Sequence, residues 1–163
     1  MNDLPMGRSS TASRAPSLIV RPVLLEDAEA ISKLSAQLGY EASSEAIAQC
    51  IGQTFCRTDH AAFVACLKSM EDTEIVGWIE ATLMQELQSP SFALITGLIV
   101  SEAHRGLGIG KQLCAEVESW GREQGVSKIR VTSRISRERA HRFYLREGFK
   151  RIKTWAVFEK MLS

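Results

Sequence analysis

Cysteine and histidine are scarce in this chain. Its 163 residues include four cysteines (Cys50, Cys56, Cys66 and Cys114) and three histidines. The cysteines show neither C-x-x-C spacing nor a dense disulfide framework, and no histidine lies beside a cysteine pair. This pattern argues against a structural zinc site and favours reduced thiols in a cytoplasmic protein. We therefore expect no metal.

Long apolar runs and an excess of one charge are also missing. No stretch approaches the ~20 apolar residues of a membrane-spanning helix, and the N-terminus lacks the apolar core of a secretory signal. The formal net charge is +1, which leaves no strong field to attract nucleic acid or an anionic membrane. We expect neither partner, and we expect a cytoplasmic location.

The composition changes once, near the N-terminus. Residues 1–17 are rich in Ser, Pro, Gly and Arg, a composition typical of a flexible tail. Residues 18–163 show no internal repeat, and they are numerous enough to bury one sizeable core. We expect a single domain there.

Apolar periodicity predicts the element order β-α-α-β-β-β-α-β-α-β. The predicted strands lie at 18–23, 61–67, 74–84, 92–100, 128–132 and near 154–161. Helices are predicted at about 24–38, 107–124 and 136–147, and a second helix that begins near residue 43 carries Ile47 and Ile51. Pro90 is expected to separate the third and fourth strands, and Ser43 or Ser44 to cap the second helix. This order favours an α+β sheet with helices on both faces over a doubly wound fold.

A glycine-rich turn, Arg105–Gly110, joins the apolar run Leu98–Val100 to a helical pattern. Glycines at such a turn let the backbone approach a bulky anion, and free N–H groups at the helix start point at it. The spacing is neither that of a P-loop nor G-x-G-x-x-G. The remaining pattern is R-x-x-G-x-G, which is met by Arg105, Gly108 and Gly110, and the expected ligand bears phosphate.

A second motif follows downstream. Residues 140–149 read A-H-R-F-Y-L-R-E-G-F, which is similar to the A-x-x-F/L-Y-x-x-x-G-F signature of the GNAT superfamily of N-acetyltransferases. The R-x-x-G-x-G turn resembles that family's pyrophosphate loop, and the resemblance covers roughly residues 18–162. It implies an α+β, three-layer α/β fold whose mixed central sheet has splayed fourth and fifth strands. It also implies acetyl-CoA as co-substrate.

The resemblance carries specific residues over to the co-substrate. Backbone N–H groups would hold the pyrophosphate, with help from the side chain of Arg105, and main chain at the end of the fourth strand would hold the pantetheine arm. A backbone N–H near Leu98 or Ile99 would face the thioester carbonyl, freed by a bulge at Gly97. Arg137 replaces an Asn of many members and could reach the CoA phosphates. The implied binding residues are Leu98, Ile99, Val100, Arg105, Gly106, Leu107, Gly108, Ile109, Gly110, Lys111 and Arg137.

Catalysis needs two proton transfers. Tyr144 fits the family position of the acid that protonates the CoA thiolate. The base that some members carry on the fourth strand is replaced here by Leu94. Glu80, on the third predicted strand, is the best substitute, although alternation also allows it to be a solvent-facing side chain. Glu102, His104 and water alone are the other candidates.

The resemblance implies transfer of the acetyl group from acetyl-CoA to a primary amine. A small-molecule acceptor such as a polyamine or an aminoglycoside is favoured. Two alternatives stay open: acetylation of a protein lysine or N-terminus, and a catalytically silent acyl-CoA sensor. A homodimer is also left open.

Overall fold

The computed structural model describes residues 16–37, 39–54, 57–69 and 72–162. The chain forms two compact units, residues 1–130 and residues 131–163. The predicted tail, residues 1–17, lies outside the described residues except for its last two. Of those two, Ser17 already begins the first strand.

The first unit contains three α-helices and a sheet, whose last strand ends at the first residue of the second unit. The strands are β1 (Ser17–Pro22), β2 (His60–Lys68), β3 (Thr73–Glu86), β4 (Ser89–Val100) and β5 (Ile129–Val131), and the helices are α1 (Ala28–Ala36), α2 (Ser44–Thr54) and α3 (Ile109–Glu123). The sheet order is β1-β2-β3-β4-β5; β1 to β4 pair with one another in antiparallel fashion, and β5 is parallel to β4. The sheet is therefore mixed, as predicted.

Two polar side chains organise the segments that lead into the first two helices. The buried carboxylate of Asp27 accepts two hydrogen bonds from Arg21, at 2.7 and 2.8 Å, and one from the Leu24 N–H at 2.7 Å. The Ser43 hydroxyl accepts the N–H of Ala46 at 3.2 Å. Ser43, rather than Ser44, is therefore the residue that caps α2.

Helices cover both faces of the sheet. On one face, α1 and α2 contribute Ile31 and Ile51 to a core cluster with Val64 of β2, and Trp78 of β3 packs against it. On the other face lies α3, whose Leu113 is fully buried. This arrangement gives each face of β3 its own hydrophobic core.

The pairing of β3 with β4 contains a bulge. Glu80 pairs with Gly97 and Ala81 pairs with Ile95, so Thr96 is an extra residue on β4. The bulge expected at Gly97 is present. Two residues of β4, Thr96 and Gly97, consequently lie opposite the single residue Glu80.

Two predictions of structure were wrong. Pro90 does not separate two strands but lies inside β4, next to the hairpin end, where the register shifts between Met84 and Glu86. Proline is tolerated at such an irregular strand end because no ladder N–H is needed there. The predicted strand at 154–161 does not form, and residues 149–162 adopt neither helix nor strand.

The second unit holds one helix, α4 (Glu138–Arg146), which ends before Gly148 at φ +88°. Trp155, Val157 and Phe158 are exposed there. These residues have strand propensity, but a strand also needs a neighbour to pair its backbone groups.

The described cysteines differ in how exposed they are. Cys66 and Cys114 are buried, Cys50 is exposed, and Cys56 lies outside the described residues. Across the part of the chain that the structure describes, no helix is both long and apolar enough to cross a membrane.

Candidate active site

The glycine-rich turn forms an uncapped helix start. Gly106 and Gly108 have φ of +88° and +79°, a conformation that side chains rarely adopt. Gly108 is the N-cap of α3, has no side-chain cap, and its carbonyl accepts the N–H of Gln112. The first-turn N–H groups before Gln112 precede the helix's own hydrogen bonds and can therefore bind an anion.

The space in front of this turn is open. A Cβ built on Gly106 or Gly108 would meet no atom within 4 Å, and the side chain of Lys111 is exposed. Room, free N–H groups and the positive end of the α3 dipole all fit a pyrophosphate.

Arg105 supports the turn from inside. Its guanidinium donates to the Val100 carbonyl at 3.3 Å and to the Glu102 carboxylate at 2.8 Å. These bonds tie the turn to the end of β4. The guanidinium of Arg105 is thus already bonded to two groups. The predicted contact with phosphate would have to form beside these two hydrogen bonds.

The end of β4 presents main-chain groups at its outer edge. The N–H of Ser101 donates to the Val76 carbonyl on β3 at 2.8 Å. Because backbone groups alternate along a strand, the N–H groups of Leu98 and Val100 point away from β3, whereas that of Ile99 points toward it. Of the two residues predicted to face the thioester carbonyl, Leu98 is thus the better placed.

Glu80 lies at the centre of a three-strand polar cluster. Its Oε1 is 2.7 Å from Nε2 of His60 on β2, and its Oε2 accepts the hydroxyl of Thr96 on β4 at 3.0 Å. We call these three residues the Glu80 cluster. The Glu80 side chain is the more exposed of the hydrogen-bonded pair, at 37% against 16% for the His60 side chain.

The Glu80 carboxylate stays charged. The hydrogen bond from His60 lowers the pKa of Glu80 the most, burial opposes this, and Thr96 lowers it further. An ionised carboxylate in this position can accept a proton from an ammonium group or orient a water molecule.

The cluster lies close to the position that Leu94 occupies. Leu94 pairs with Thr82, and Thr82 lies on the same face of β3 as Glu80 because side chains alternate. Glu80 and Leu94 are therefore diagonal neighbours across two strands. This placement supports Glu80 as the substitute base.

The other candidate bases are occupied elsewhere. Glu102 accepts the hydrogen bond from Arg105. His104 lies 3.4 Å from the Ser101 hydroxyl and 3.9 Å from a Glu74 oxygen. Neither side chain belongs to the Glu80 cluster.

His60 and Thr96 were not predicted as site residues from the sequence. His60 directly precedes an apolar strand pattern, which was the available signal, but its partner lies 20 residues away. Thr96 could not be identified from the sequence, because only the pairing of β3 with β4 shows which residue of β4 is the extra one in the bulge.

The second unit carries two predicted site residues. The partly exposed Tyr144 packs edge-on against Phe143 and Phe149, with ring centroids 5.2 and 5.5 Å apart. Arg137 is the N-cap of α4, and its carbonyl accepts the N–H of His141. The roles of Tyr144 and Arg137 remain predictions from the motif.

Comparison with curated proteins gives two N-acetyltransferases. The chain is 36% identical over 83 residues to the aminoalkylphosphonate N-acetyltransferase of Salmonella typhimurium, covering 50% of this chain and 54% of that enzyme. It is 27% identical over 115 residues to the aminoglycoside N(6')-acetyltransferase type 1 of Stenotrophomonas maltophilia, covering 68% and 73%. The alignment thus spans about half the length of the Salmonella enzyme.

Solved structures share the fold. The aminoglycoside N-acetyltransferase AAC(6')-Iy in complex with CoA matches with a TM-score of 0.78 at 18% identity, over 91% of this chain and 98% of that one. A transcriptional regulator from Bacillus halodurans matches with a TM-score of 0.77 at 24% identity, over 88% and 100%.

The model of the Acetyltransferase (GNAT) family matches residues 28–149. The predicted fold class is confirmed. The predicted acetyl-CoA-dependent N-acetyltransferase class and its co-substrate are confirmed at the level of the family. This chain belongs to the GNAT family of acetyltransferases.

Proposed function

We propose that this chain transfers the acetyl group of acetyl-CoA to the primary amine of a small molecule, with an aminoglycoside or a polyamine favoured. The observation that carries the proposal is the Glu80 carboxylate, ionised and partly exposed, beside the β4 bulge. Two relatives named for small amines, an aminoalkylphosphonate and an aminoglycoside, support the acceptor class.

The glycine-rich turn and β4 would hold the co-substrate, which supplies the activated thioester. The N–H groups at the start of α3 and the ammonium of Lys111 suit its pyrophosphate. The outward N–H groups of Leu98 and Val100 suit the amides of the pantetheine arm, which can pair with a strand as another strand does.

Glu80 would prepare the acceptor. A lysine-type amine has a pKa near ~10.4 and is therefore mostly a protonated, non-nucleophilic ammonium at neutral pH. Glu80 accepts its proton, directly or through one water, while the acceptor lies beside the bulge. Tyr144 donates a proton to the departing thiolate, a role that rests on its place in the A-x-x-F-Y motif.

The setting we propose is the cytoplasm. The four cysteines form neither a C-x-x-C pair nor a dense disulfide framework, which supports a reducing compartment.

A thiol-release assay tests the proposal. Release of free CoA from acetyl-CoA is followed with aminoglycosides, polyamines, 2-aminoethylphosphonate and peptides that carry a free lysine or N-terminus. We expect release with at least one small amine and acetylated product by mass spectrometry. Release with peptides alone would favour a protein acetyltransferase. Acetyl-CoA binding in calorimetry without release for any amine would indicate the silent sensor.

A further inference from the structure

We propose that His60 and Thr96 are positioning residues that fix the orientation of the Glu80 carboxylate beside the β4 bulge. The inference rests on the proposed function, in which Glu80 takes the proton of the acceptor amine.

The carboxylate is held from two sides by two different strands. His60 on β2 lies 2.7 Å from Oε1, and Thr96 on β4 donates to Oε2 at 3.0 Å. One donor on each oxygen removes the freedom of the terminal torsion of Glu80, which is otherwise broad. A carboxylate has about four acceptor sites, so two donors leave capacity for a third partner. That partner would be the ammonium group.

Local register makes the contact with His60 available. The residue directly opposite Glu80 on β2 is Ala62, whereas His60 lies opposite Thr82. Because the side chain of Ala62 is small, it leaves room for the imidazole of His60 to reach Glu80 diagonally. Long side chains can span the distance between diagonal neighbours on paired strands. The residue opposite Glu80 by register thus has no hydrogen-bonding side chain, and the diagonal neighbour supplies one.

The bulge supplies the second donor. It puts both Thr96 and Gly97 opposite Glu80. The hydroxyl of Thr96 therefore connects the carboxylate to the strand that continues into Leu98, whose N–H points toward the outer edge of β4. A shift of the carboxylate would break this connection, which links the base to the place of acyl transfer.

The two side chains of the His60–Glu80 hydrogen bond differ in burial. The His60 side chain is 16% exposed and that of Glu80 is 37% exposed. The imidazole therefore lies behind the carboxylate, away from solvent, and supports it. Glu80 is the member of the pair that an acceptor can reach.

The charged surroundings of the pair are few. Asp59 adjoins His60 and is held by Arg57 through two hydrogen bonds of 2.8 and 2.9 Å. From β4 the group that faces Glu80 is the neutral Thr96. Among the described residues, His60 is the titratable group hydrogen-bonded to Glu80. Without His60, burial would be the dominant influence and the pKa of Glu80 would rise.

Two pairs of variants test the proposal. His60→Phe keeps a ring without a donor, and His60→Gln restores an N–H donor. Thr96→Val removes the hydroxyl on Glu80, and Thr82→Val is its matched control, because the Thr82 hydroxyl donates to the Asp59 carbonyl at 3.2 Å instead. The readouts are turnover and the KM for acetyl-CoA, with neamine and 2-aminoethylphosphonate as acceptors, and the carboxyl ¹³C titration of Glu80, which needs no acceptor.

We expect His60→Phe to lower kcat at least about tenfold, with the KM for acetyl-CoA within about twofold of wild type, and to raise the pKa of Glu80. His60→Gln should recover most of the turnover. Thr96→Val should lower kcat several-fold, whereas Thr82→Val should not.

Wild-type turnover in His60→Phe beside an impaired Glu80→Gln would overturn the positioning role and leave the proposed function standing. An unchanged pKa of Glu80 in His60→Phe would overturn it as well. Wild-type turnover in Glu80→Gln would remove the base assignment together with this inference. If His60→Phe does not fold, equal turnover of Thr96→Val and Thr82→Val overturns the proposal, and a several-fold difference supports it.

Discussion

The indole ring of Trp78 occupies the space that a side chain at Gly97 would need. A Cβ built on Gly97 would lie 2.4 Å from Cζ3 and 2.5 Å from Cη2 of Trp78. Glycine is therefore required at the β4 bulge for packing, independently of its backbone torsions. The ring, in turn, packs against the core under α1 and α2, so the position of the bulge is coupled to that core.

Gly97→Ala should destabilise the protein. The added methyl must displace a large ring or the backbone of β4, and overpacking of this kind costs about 1–3 kcal/mol. Equilibrium urea unfolding measures the change. Trp78→Leu in the same chain should relieve part of the cost, so the double variant should be more stable than the sum of the two single effects. Additive effects would show that Trp78 does not set the requirement for glycine.

Gly108→Ala should weaken acetyl-CoA binding at least tenfold, about 1.4 kcal/mol. Alanine at φ +79° is strained, and relief of that strain would turn the first N–H groups of α3 away from the phosphates. Calorimetry with acetyl-CoA measures the dissociation constant.

Gly125→Ala is the matched control for that variant. Gly125 has φ +75°, lies just beyond the other end of α3, and is equally open to an added Cβ. The two variants should lose similar stability, but Gly125→Ala should bind acetyl-CoA as wild type does. Equal affinities of the two would refute the loop assignment.

Tyr144→Phe should lower turnover at least tenfold with near-normal affinity for acetyl-CoA. Proton donation contributes ~10²–10⁴-fold in general, and the effect should be at the low end because a thiol of pKa ~8.5 is already a fair leaving group. The ring contacts with Phe143 and Phe149 survive the change, and a thermal melt of the variant checks that it folds. Steady-state kinetics with a confirmed acceptor measure the effect. Turnover equal to that of wild type would show that the hydroxyl has only a structural role.

The sequence predicted most of the fold because its signals are local. Apolar periodicity and the glycines at 125 and 148 located four helices and five strands to within a few residues, and Gly125 and Gly148 indeed adopt positive φ. The two wrong predictions concern features that depend on how strands pair. Pro90 is accepted inside β4 because the register is already irregular there, and residues 154–161 have strand propensity but form no strand.

The same distinction between local signals and strand pairing applies to the candidate site. The glycine-rich turn is a contiguous motif, so its positive φ values and uncapped helix start could be predicted from spacing. Glu80 could be proposed only by elimination, after Leu94 was found at the family position. Its partners could not be predicted, since His60 contacts Glu80 diagonally over Ala62 and Thr96 does so through a bulge, and both depend on strand register.

The pH dependence of turnover in Glu80→Gln shows whether Glu80 is the base that takes the proton of the acceptor amine. Because the pKa of Glu80 is lowered, wild-type Glu80 is already ionised at neutral pH, and the wild-type profile should follow the protonation of the acceptor amine. A glutamine cannot take the proton, so kcat should fall about 10²-fold, and most at the lower pH values where the amine is protonated.

Glu118→Gln is the control for this measurement, since Glu118 is a carboxylate paired with Arg122 at 3.0 Å on the surface of α3. We expect wild-type rates for Glu118→Gln at every pH, and unchanged acetyl-CoA affinity in both variants. A pH–rate profile of Glu80→Gln that superimposes on that of wild type would rule out Glu80 as the base.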